Sequence, residues 1–232
     1  MIQVYNTDAI EWLKTLDNDS VDLIVSDPPY RVTQHGHSGL GGIFKTKVGE
    51  DKKLNGKLFE HNEVDVNDYA GELYRVLKPD SHCYIMTNDR NLQNFMNVFT
   101  SIGFNFCKLL IWDKQNKITN QYYMNQVEYI LFMYKGRNKQ INNCGTSNLI
   151  SVNNVKNKTH NHPTEKPVEL MEILIKNSTN EGDLVLDPFV GVGSTPVACQ
   201  NLKRNFIGCE LDKVYYDTTM ERLNEDIGEF FE

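Results

Sequence analysis

The sequence of 232 residues predicts a doubly wound α/β fold with a mostly parallel sheet. Short apolar runs rich in β-branched residues, such as Val21–Ser26, alternate with stretches whose apolar residues recur at helical spacing. Acidic residues directly follow several of these runs, at the carboxyl ends of strands where open α/β sheets bind ligands. With 40% hydrophobic and 24% charged residues, the chain fits a single domain over residues 1–232 that buries a sizeable core.

The first half of the chain alternates predicted strands and helices. Apolar residues at helical spacing after Val66 predict a helix that Lys78-Pro79 ends, because proline has no N–H and fits poorly inside a helix. A second amphipathic helix ends at Gly103, a residue suited to a C-terminal cap. The predicted elements are, in order, strand Ile2–Tyr5, a short helix within Thr7–Leu16, strand Val21–Ser26, helix Val66–Leu77, strand His82–Thr87 and helix Leu92–Ile102.

The second half contains one break in this alternation. Two consecutive apolar runs, Phe104–Trp112 and Val127–Tyr134, have no helix between them, so we expect them to pair antiparallel. Pro167 suits the first position of a later helix. The remaining elements are a helix through Leu170–Ile175, a strand from Asp183 that ends at Asp187, a helix through Val197–Leu202, a strand from Asn205 that ends at Glu210, and a final helix from near Asp212. The sheet is therefore expected to contain one antiparallel strand.

Two long stretches show no periodicity. Residues 31–63 contain six glycines with interspersed lysines, and residues 136–161 are rich in Asn, Lys, Ser and Thr. Loops of this length inside a compact domain are usually functional or disordered. We predict that residues 31–63 form a mobile loop near the active site.

The tetrad Asp27-Pro28-Pro29-Tyr30 follows the strand Val21–Ser26 and is the first candidate site. A carboxylate can accept hydrogen bonds from an amino group, two prolines keep the backbone out of a helix, and a tyrosine ring offers a stacking surface. These groups suit a planar base that carries an amino group. The alternative is that the prolines only end the strand and Tyr30 covers the core, since turns commonly use Pro and Asp.

A second candidate site begins at Asp187. Gly191 and Gly193 permit close approach of the backbone to a ligand, and the helix that follows offers free N–H groups. Glu210 lies 23 residues after Asp187, a separation that suits an acid binding ribose hydroxyls. Pro196 stands where a dinucleotide fingerprint has its third glycine, which disfavours NAD and FAD, and no P-loop lysine follows. The segment indicates a nucleoside-bearing cofactor, or else a glycine turn without a ligand.

The charge distribution bears on the partner. The net charge of −7 argues against nucleic acid, but residues 104–168 hold nine Lys and Arg against three acids. The chain after Cys209 is the reverse, with eight acids against two basic residues. A basic middle indicates a face for a polyanion, with a solvated charged surface as the alternative.

The five scattered cysteines have no C-x-x-C pair and indicate a reduced, cytoplasmic protein without a zinc site. The first residues lack the charge and apolar run of a secretory signal, and no apolar run approaches the length of a membrane span. We therefore expect no membrane partner and no metal.

Taken together, these segments resemble the amino-group DNA methyltransferases that use S-adenosylmethionine, in the permuted (beta) class where the tetrad precedes the glycine motif. Val21–Tyr30 is similar to the family's strand-plus-DPPY element, and Asp187–Thr195 to its D-P-F-x-G-x-G-[ST]-T element. Phe206–Asp212 resembles its F-x-G-x-E element and residues 162–167 its H-P-T-x-K-P element. The resemblance covers most of the chain and implies a Rossmann-like, class I methyltransferase-like sheet with circularly permuted motif order.

The resemblance implies site-specific methyl transfer from S-adenosylmethionine to the N6 amino group of adenine in double-stranded DNA, after base flipping. Asp at the first tetrad position favours adenine N6, with cytosine N4 as the alternative. A non-catalytic nucleic-acid-binding module on the same fold is the alternative from another class, and methylation of structured RNA and an NAD-dependent oxidoreductase are further rivals.

Residue roles follow from the same resemblance. The catalytic residues are Asp27, Pro28, Pro29 and Tyr30. The cofactor-binding residues are Asp8, Thr164, Lys166, Pro167, Asp187, Pro188, Phe189, Gly191, Gly193, Ser194, Thr195, Glu210 and Asp212. Glu210 takes the ribose, Asp8 meets the cofactor adenine or caps a helix, and Lys166 closes over the methionine or is a surface residue.

The DNA-contacting residues are predicted from the basic middle of the chain. Phosphate contacts are expected from lysines and arginines there, and residues 136–161 form a short target-recognition segment. The predicted contacts are Lys108, Lys114, Lys135, Arg137, Lys139, Lys156 and Lys158 in this region, together with Arg31 directly after the tetrad. The other partners implied are a second copy in a homodimer and a restriction endonuclease on a separate chain.

Overall fold

A computed structural model describes residues 1–29, 64–119, 122–155 and 165–228 of the chain. The elements are β1 Ile2–Asn6, α1 Ala9–Leu13, β2 Val21–Ser26, α2 Val66–Val76, β3 Leu77–Thr87, α3 Leu92–Ile102, β4 Asn105–Ile118, β5 Asn125–Lys135, β6 Leu149–Ser151, α4 Val168–Ser178, β7 Leu184–Asp187, α5 Ser194–Asn201, β8 Asn205–Glu210 and α6 Lys213–Gly228. Among these helices, none has the length and apolar character to cross a membrane.

The described strands form one eight-stranded sheet in the order β1-β8-β7-β2-β3-β5-β4-β6. β5 pairs antiparallel with both of its neighbours, β3 and β4, whereas the other described pairs are parallel. The predicted fold class, a doubly wound and mostly parallel sheet with one antiparallel strand, is confirmed.

The core follows from the alternation of side chains along the buried strands. Leu23 and Val25 of β2 pack in one cluster with Leu170 and Leu174 of α4. Alternation places Ile24, which is also fully buried, on the opposite face of the sheet. A strand with both faces buried explains why Val21–Ser26 is a nearly continuous apolar run.

The chain divides into two compact units, Met1–Pro28 with Val66–Glu232, and Pro29–Asp65. The sheet and the helices belong to the first unit. The second is described only at Pro29, Val64 and Asp65, so the predicted mobile loop over residues 31–63 lies outside the described residues. The single domain over residues 1–232 stays a prediction.

Several boundaries differ from those predicted. β3 begins at Leu77, directly after α2 and well before the predicted start at His82, and β4 continues to Ile118. β6 was not predicted, since three residues are too few to show a period; it pairs with β4 through Ile111 and Leu149. Strand pairing with a neighbour, rather than local pattern, determines these bounds.

Asn142, within the segment 136–155, contacts the end of α4. The Asn142 side-chain amide donates to the carbonyls of Lys176 and Thr179 at 2.9 and 2.8 Å, and the Asn142 N–H donates to the Asn177 carbonyl at 2.8 Å. These bonds satisfy carbonyls that the end of a helix leaves without intrahelical partners. This part of the segment 136–161 therefore completes the fold, and residues 156–161 lie outside the described residues.

Candidate active site

The carboxyl ends of four neighbouring strands bring the predicted acids to one edge of the sheet. Asn6 at the end of β1 pairs with Glu210 of β8, and Asp187 at the end of β7 pairs with Gly208. Asp27 directly follows β2, which neighbours β7, and Asp8 lies shortly beyond β1. We call this edge the site edge.

Asp187 is buried, and both of its carboxylate oxygens accept hydrogen bonds from the protein. Its Oδ1 accepts hydrogen bonds from the Ser26 hydroxyl at 2.8 Å and the Phe189 N–H at 3.0 Å, and its Oδ2 accepts one from the Thr195 hydroxyl at 2.7 Å. Burial raises the pKa of Asp187 to about 6, against the opposing effect of these donors. Asp187 thus ties the glycine turn to β2. Thr195, predicted to bind cofactor, uses its hydroxyl on Asp187.

The glycine turn is shaped by packing as well as by backbone conformation. Gly191 and Gly193 have φ of 59° and 89°, in the region that favours glycine. A Cβ on Gly193 would lie 2.9 Å from Cγ2 of Thr219 in α6, and the Thr219 hydroxyl donates to the Gly191 carbonyl at 3.0 Å. The structure thus explains Gly193 by the close approach of α6, while the approach of a ligand stays a prediction.

Glu210 connects the glycine turn to the start of α6. Its Oε2 accepts from the Gly191 N–H and its Oε1 from the Asp212 N–H, both at 2.8 Å. Burial raises the pKa of Glu210, and these two backbone donors oppose the shift. Asp212 in turn accepts from the Val214 N–H at 2.8 Å, as a cap of α6 does. Each Glu210 oxygen keeps acceptor capacity for a ribose hydroxyl.

Gly208 is a site residue to which sequence reasoning assigned no role. A Cβ at this position would lie 2.3 Å from the carbonyl oxygen of Asp187, its neighbour in the sheet. Only glycine therefore fits beside Asp187 at the site edge. The signal in the sequence was its central position in the segment Phe206–Glu210.

Asp27 forms an ion pair with Lys166. The Lys166 ammonium donates to Asp27 Oδ2 at 2.5 Å, and the side chains of Lys166 and Asp27 are 7% and 21% exposed. Asp27 Oδ1 is buried and accepts no hydrogen bond from the residues that the structure describes. Burial raises the pKa of Asp27, and the charge of Lys166 opposes that shift. The alternative in which Lys166 is a surface residue is wrong.

The pair continues through two residues that sequence reasoning did not connect. Lys166 Nζ lies 3.4 Å from Oε2 of Glu128 in β5, and Glu128 Oε1 lies 3.1 Å from Nζ of Lys114 in β4. Burial opposes ionisation of Glu128, but the two lysines outweigh it and lower its pKa. We call Asp27, Lys166, Glu128 and Lys114 the ion-pair chain. It contains two acids and two bases, so their charges balance.

The backbone around Lys166 is held by the glycine turn and by α6. The Ser194 hydroxyl donates to the Lys166 carbonyl at 2.7 Å, so this predicted cofactor residue serves to position Lys166. The neighbouring Glu165 is buried and pairs with Arg222 of α6 at 3.1 Å. Pro167 is the N-cap of α4, one residue before the helix begins.

Comparisons with known proteins agree with this geometry. The model of the DNA methylase family (N6_N4_Mtase) matches residues 21–221. The chain belongs to this family. The Type II methyltransferase M2.DpnII of Streptococcus pneumoniae is 30% identical over 97% of this chain and 90% of its own length. The predicted family is thereby confirmed.

Solved structures show the same fold. The M1.HpyAVI–SAM complex is 27% identical with a TM-score of 0.70, over 96% of this chain and all 100% of that one. The cytosine-N4-specific PvuII DNA methyltransferase has a TM-score of 0.73 over 95% of this chain and 86% of its own. At 17% identity it shows the fold alone.

Three further predicted cofactor residues of this DNA methylase, Asp8, Pro188 and Phe189, make contacts within the described part of the chain. Asp8 caps α1, since its Oδ1 accepts from the N–H groups of Ile10 and Glu11 at 3.0 and 3.1 Å, which confirms the helix-cap interpretation. The Pro188 carbonyl accepts from the Cys209 thiol, and the Phe189 ring packs edge-on against Tyr69. Pro28 is buried. Tyr30, Arg31, Lys156, Lys158 and Thr164 lie outside the described residues.

Predicted DNA contacts of the DNA methylase require correction. Lys114 is buried against Glu128, and the Lys135 ammonium donates to Asp19 and to the Leu77 carbonyl, both at 2.7 Å. Because β5 runs antiparallel, Lys135 pairs with Ser81 near the start of β3, at the edge opposite the site. Phosphate contacts by Lys114 and Lys135 are therefore contradicted.

The basic residues that follow β5 share this placement. Arg137 pairs with Asp80 at 3.0 Å, and the Lys139 carbonyl lies 3.0 Å from Nε2 of His82. Asp80 lies in the first half of β3 and His82 at its middle, so both lie before the end of β3 that reaches the site edge. Charge alone had suggested these DNA contacts, and charge does not report on which edge of a sheet a residue lies.

The hairpin between β4 and β5 is at the site edge. Thr87, the last residue of β3, pairs with Tyr129, so the start of β5 extends beyond the end of β3. Tyr122 and Tyr123 in this hairpin are 85% and 89% exposed. A groove of about 410 Å³ beside it is lined by Lys114, Gln115, Asn116, Ile118, Asn153, Asn154 and Val155. Residues 153–155 of this groove belong to the predicted recognition segment, whereas Tyr122 and Tyr123 had been assigned no role. The surface presents aromatic and amide groups.

Proposed function

We propose that this DNA methylase transfers a methyl group from S-adenosylmethionine to the N6 amino group of adenine in double-stranded DNA, after flipping the base. The observation that carries the proposal is Asp27 Oδ1, a buried carboxylate oxygen with no hydrogen bond from the described chain, at the site edge. A buried acceptor without a partner is costly unless a ligand satisfies it. An amino group of a base supplies such a donor.

The residues at the site edge suit the cofactor. Glu210 offers acceptor capacity to ribose hydroxyls beside a turn tied down by Asp187, and Asp8 lies at the end of the neighbouring strand, where the adenine of the cofactor is expected. S-adenosylmethionine supplies an electrophilic methyl group on a sulfonium. The remaining tasks of the protein are placement of the two reactants and charge complementarity.

The tetrad performs the activation. The exocyclic amine is a poor nucleophile because its lone pair is delocalised into the ring. Asp27 and the Pro28 carbonyl accept the two amine hydrogens, which favours a pyramidal nitrogen with a free lone pair and so stabilises the transition state. Tyr30 stacks on the extruded base and recovers about 1–3 kcal/mol of the flipping cost.

Adenine is preferred over cytosine because Asp stands at the first tetrad position, by resemblance to the adenine enzymes. Methylation of cytosine N4 is the second candidate, since the matching family carries both atoms in its name. A homodimer and a separate restriction endonuclease are further parts of the proposal. All five cysteines are free thiols, which suits the reducing cytoplasm where DNA is available.

DNA approaches the site edge in this proposal. The exposed Tyr122 and Tyr123 and the amide-lined groove beside them contact it, together with the undescribed basic residues Arg31, Lys156 and Lys158. Aromatic rings stack on bases, and Asn and Gln side chains hydrogen-bond to base edges. Asn153 and Asn154, which line this groove, are then the described residues of the predicted recognition segment 136–161 that contact DNA.

The decisive experiment is methylation by the wild type and by Asp27→Ala. Pure protein is incubated with unmethylated DNA and S-adenosylmethionine, and the digested nucleosides are identified by mass spectrometry. We expect N6-methyladenine from the wild type and at least about a hundredfold less from Asp27→Ala, because a preorganised acceptor is lost. Cofactor binding by the variant, measured by calorimetry, is retained.

Asp217→Ala, which removes an exposed acid of α6, is the control and keeps full activity. N4-methylcytosine as the product would support the second candidate instead. DNA binding without any methylated nucleoside would favour the non-catalytic module, and a product from RNA alone would overturn the substrate class. Normal turnover by Asp27→Ala would contradict the proposed activation of the amine by Asp27.

A further inference from the structure

We propose that Lys166 is the positioning residue of Asp27: its ammonium pairs with Oδ2 and keeps the carboxylate ionised, which leaves Oδ1 for the amino group of the base. The negative charge of Glu128 opposes this effect of Lys166. The inference rests on the proposed function and deepens it. It concerns Asp27, Lys166 and Glu128 of the ion-pair chain. Lys166 was predicted only to close over the cofactor.

The geometry separates the two oxygens of Asp27. Lys166 occupies Oδ2 at 2.5 Å, and Oδ1 stays buried without a described partner. The same ammonium lies 3.4 Å from Glu128 Oε2, so it stands between two carboxylates. An ammonium has three donors and no acceptor, and it can therefore serve both acids at once.

Lys166 is fixed at both of its ends. Its carbonyl accepts from the Ser194 hydroxyl, and the adjacent Glu165 is paired with Arg222, so the backbone cannot shift easily. Its side chain is 7% exposed. A charge that is removed from water in this way is retained only where partners compensate it, and Asp27 and Glu128 are two such partners.

Among the described residues, charged groups from three parts of the chain face Asp27. Lys166 approaches from the segment before α4, Glu128 from β5 and Asp187 from β7, while Lys114 of β4 stands behind Glu128. Burial raises the pKa of Asp27, Lys166 lowers it and Glu128 raises it. Removing the charge of Lys166 and removing that of Glu128 therefore shift the ionisation of Asp27 in opposite directions.

The test compares the pH dependence of kcat in Lys166→Met and Glu128→Gln, at saturating DNA and cofactor. We expect the acid limb of Lys166→Met to move up by about one pH unit, which is about a tenfold loss of rate on that limb, and that of Glu128→Gln to move down. Lys166→Arg keeps the charge and restores the limb toward the wild type. Lys213→Met, at an exposed lysine of α6, is the matched control and leaves the limb in place.

A purely structural role would not shift the two limbs in opposite directions. Unmoved limbs, or limbs that move the same way, in an active protein overturn this inference and leave the proposed function standing. Weaker cofactor binding in Lys166→Met with an unmoved limb also overturns it, since Lys166 then serves the cofactor. If Lys166→Met does not fold, the downward shift in Glu128→Gln and the behaviour of Lys166→Arg decide. A wild type that forms no methylated nucleoside from DNA overturns the proposed function itself.

Discussion

Asp187 stands at the site edge in a charge state that depends on folding. Burial raises its pKa from 3.8 to about 6, so the folded protein binds a proton that the unfolded chain releases between these values. The stabilisation from this proton is complete below about pH 3.8 and is lost as the pH rises through about 6. The difference is on the order of 3 kcal/mol. At neutral pH, Asp187 is therefore mostly ionised, and this stabilisation is absent.

We therefore predict that Asp187→Asn stabilises the fold near neutral pH by up to ~3 kcal/mol and has little effect near pH 4. Asparagine can still accept from Phe189 and Ser26, and it can donate to the Thr195 hydroxyl. Urea unfolding at the two pH values measures the difference, with Asp17→Asn at an exposed position as the control. An equal gain at both pH values would contradict the assignment.

The glycine turn, α5 and α6 contact one another at the site edge. Gly193 is the N-cap of α5 and lies close to Thr219 of α6, and the Glu210 side chain accepts from the turn. Arg222 of α6 donates to the Val192 carbonyl at 2.6 Å. α6 therefore contacts the turn through several groups at once. A change at Gly193 acts on the helix that follows β8, although the two are distant in sequence.

Gly193→Ala is predicted to destabilise the protein by more than Gly182→Ala. Both glycines have similar φ, 89° and 87°, so both substitutions carry the strain of a positive φ, about 1–2 kcal/mol. Only Gly193 places the new Cβ 2.9 Å from Thr219, whereas Gly182 has nothing within 4 Å. Adding Thr219→Ala to Gly193→Ala removes the overlap and recovers part of the difference. Denaturant unfolding measures all four proteins, and equal losses in the two glycine variants would refute the packing argument.

For the whole molecule, the direction of β5 decides which groups face the substrate. An antiparallel strand begins at the edge where its parallel neighbours end, so the β4–β5 hairpin lies at the site edge and Arg137 lies at the opposite one. The same reversal brings Glu128, near the start of β5, to Lys166. The direction of β5 thus determines which surface is proposed to bind DNA and also places Glu128 in the ion-pair chain.

The double variant Tyr122→Ala/Tyr123→Ala is predicted to bind DNA at least about thirtyfold more weakly, because each of the two lost stacking contacts is worth about 1–3 kcal/mol. Cofactor affinity stays unchanged, since these side chains are exposed in the hairpin. Fluorescence anisotropy with labelled duplex at fixed salt measures the change. Arg137→Ala removes a positive charge at the opposite edge and leaves DNA affinity within about twofold. Weaker binding by Arg137→Ala alone would place DNA at the other edge.

The order of the elements was predictable from local pattern, and so were the two candidate site segments, Asp27–Tyr30 and Asp187–Thr195. Val21–Ser26 and Leu92–Ile102 were predicted with their observed bounds, and the antiparallel pairing of β4 and β5 followed from the missing helix between them. Periodicity and chain order carry this information because strands and helices are formed by neighbouring residues. The three-residue strand β6 was not predictable, because it is defined by its pairing with β4.

By itself, the sequence determined the fold class, the family, and the positions of Asp27, Asp187 and Glu210 at the ends of strands. Only the tertiary structure decided that Lys166 and Glu128 meet at Asp27, that Lys114 is buried, and that Arg137 lies away from the site. The identity of a residue does not show whether a lysine side chain faces solvent or a buried carboxylate. Its environment is set by strand register and packing between residues far apart in the chain, which no local pattern records.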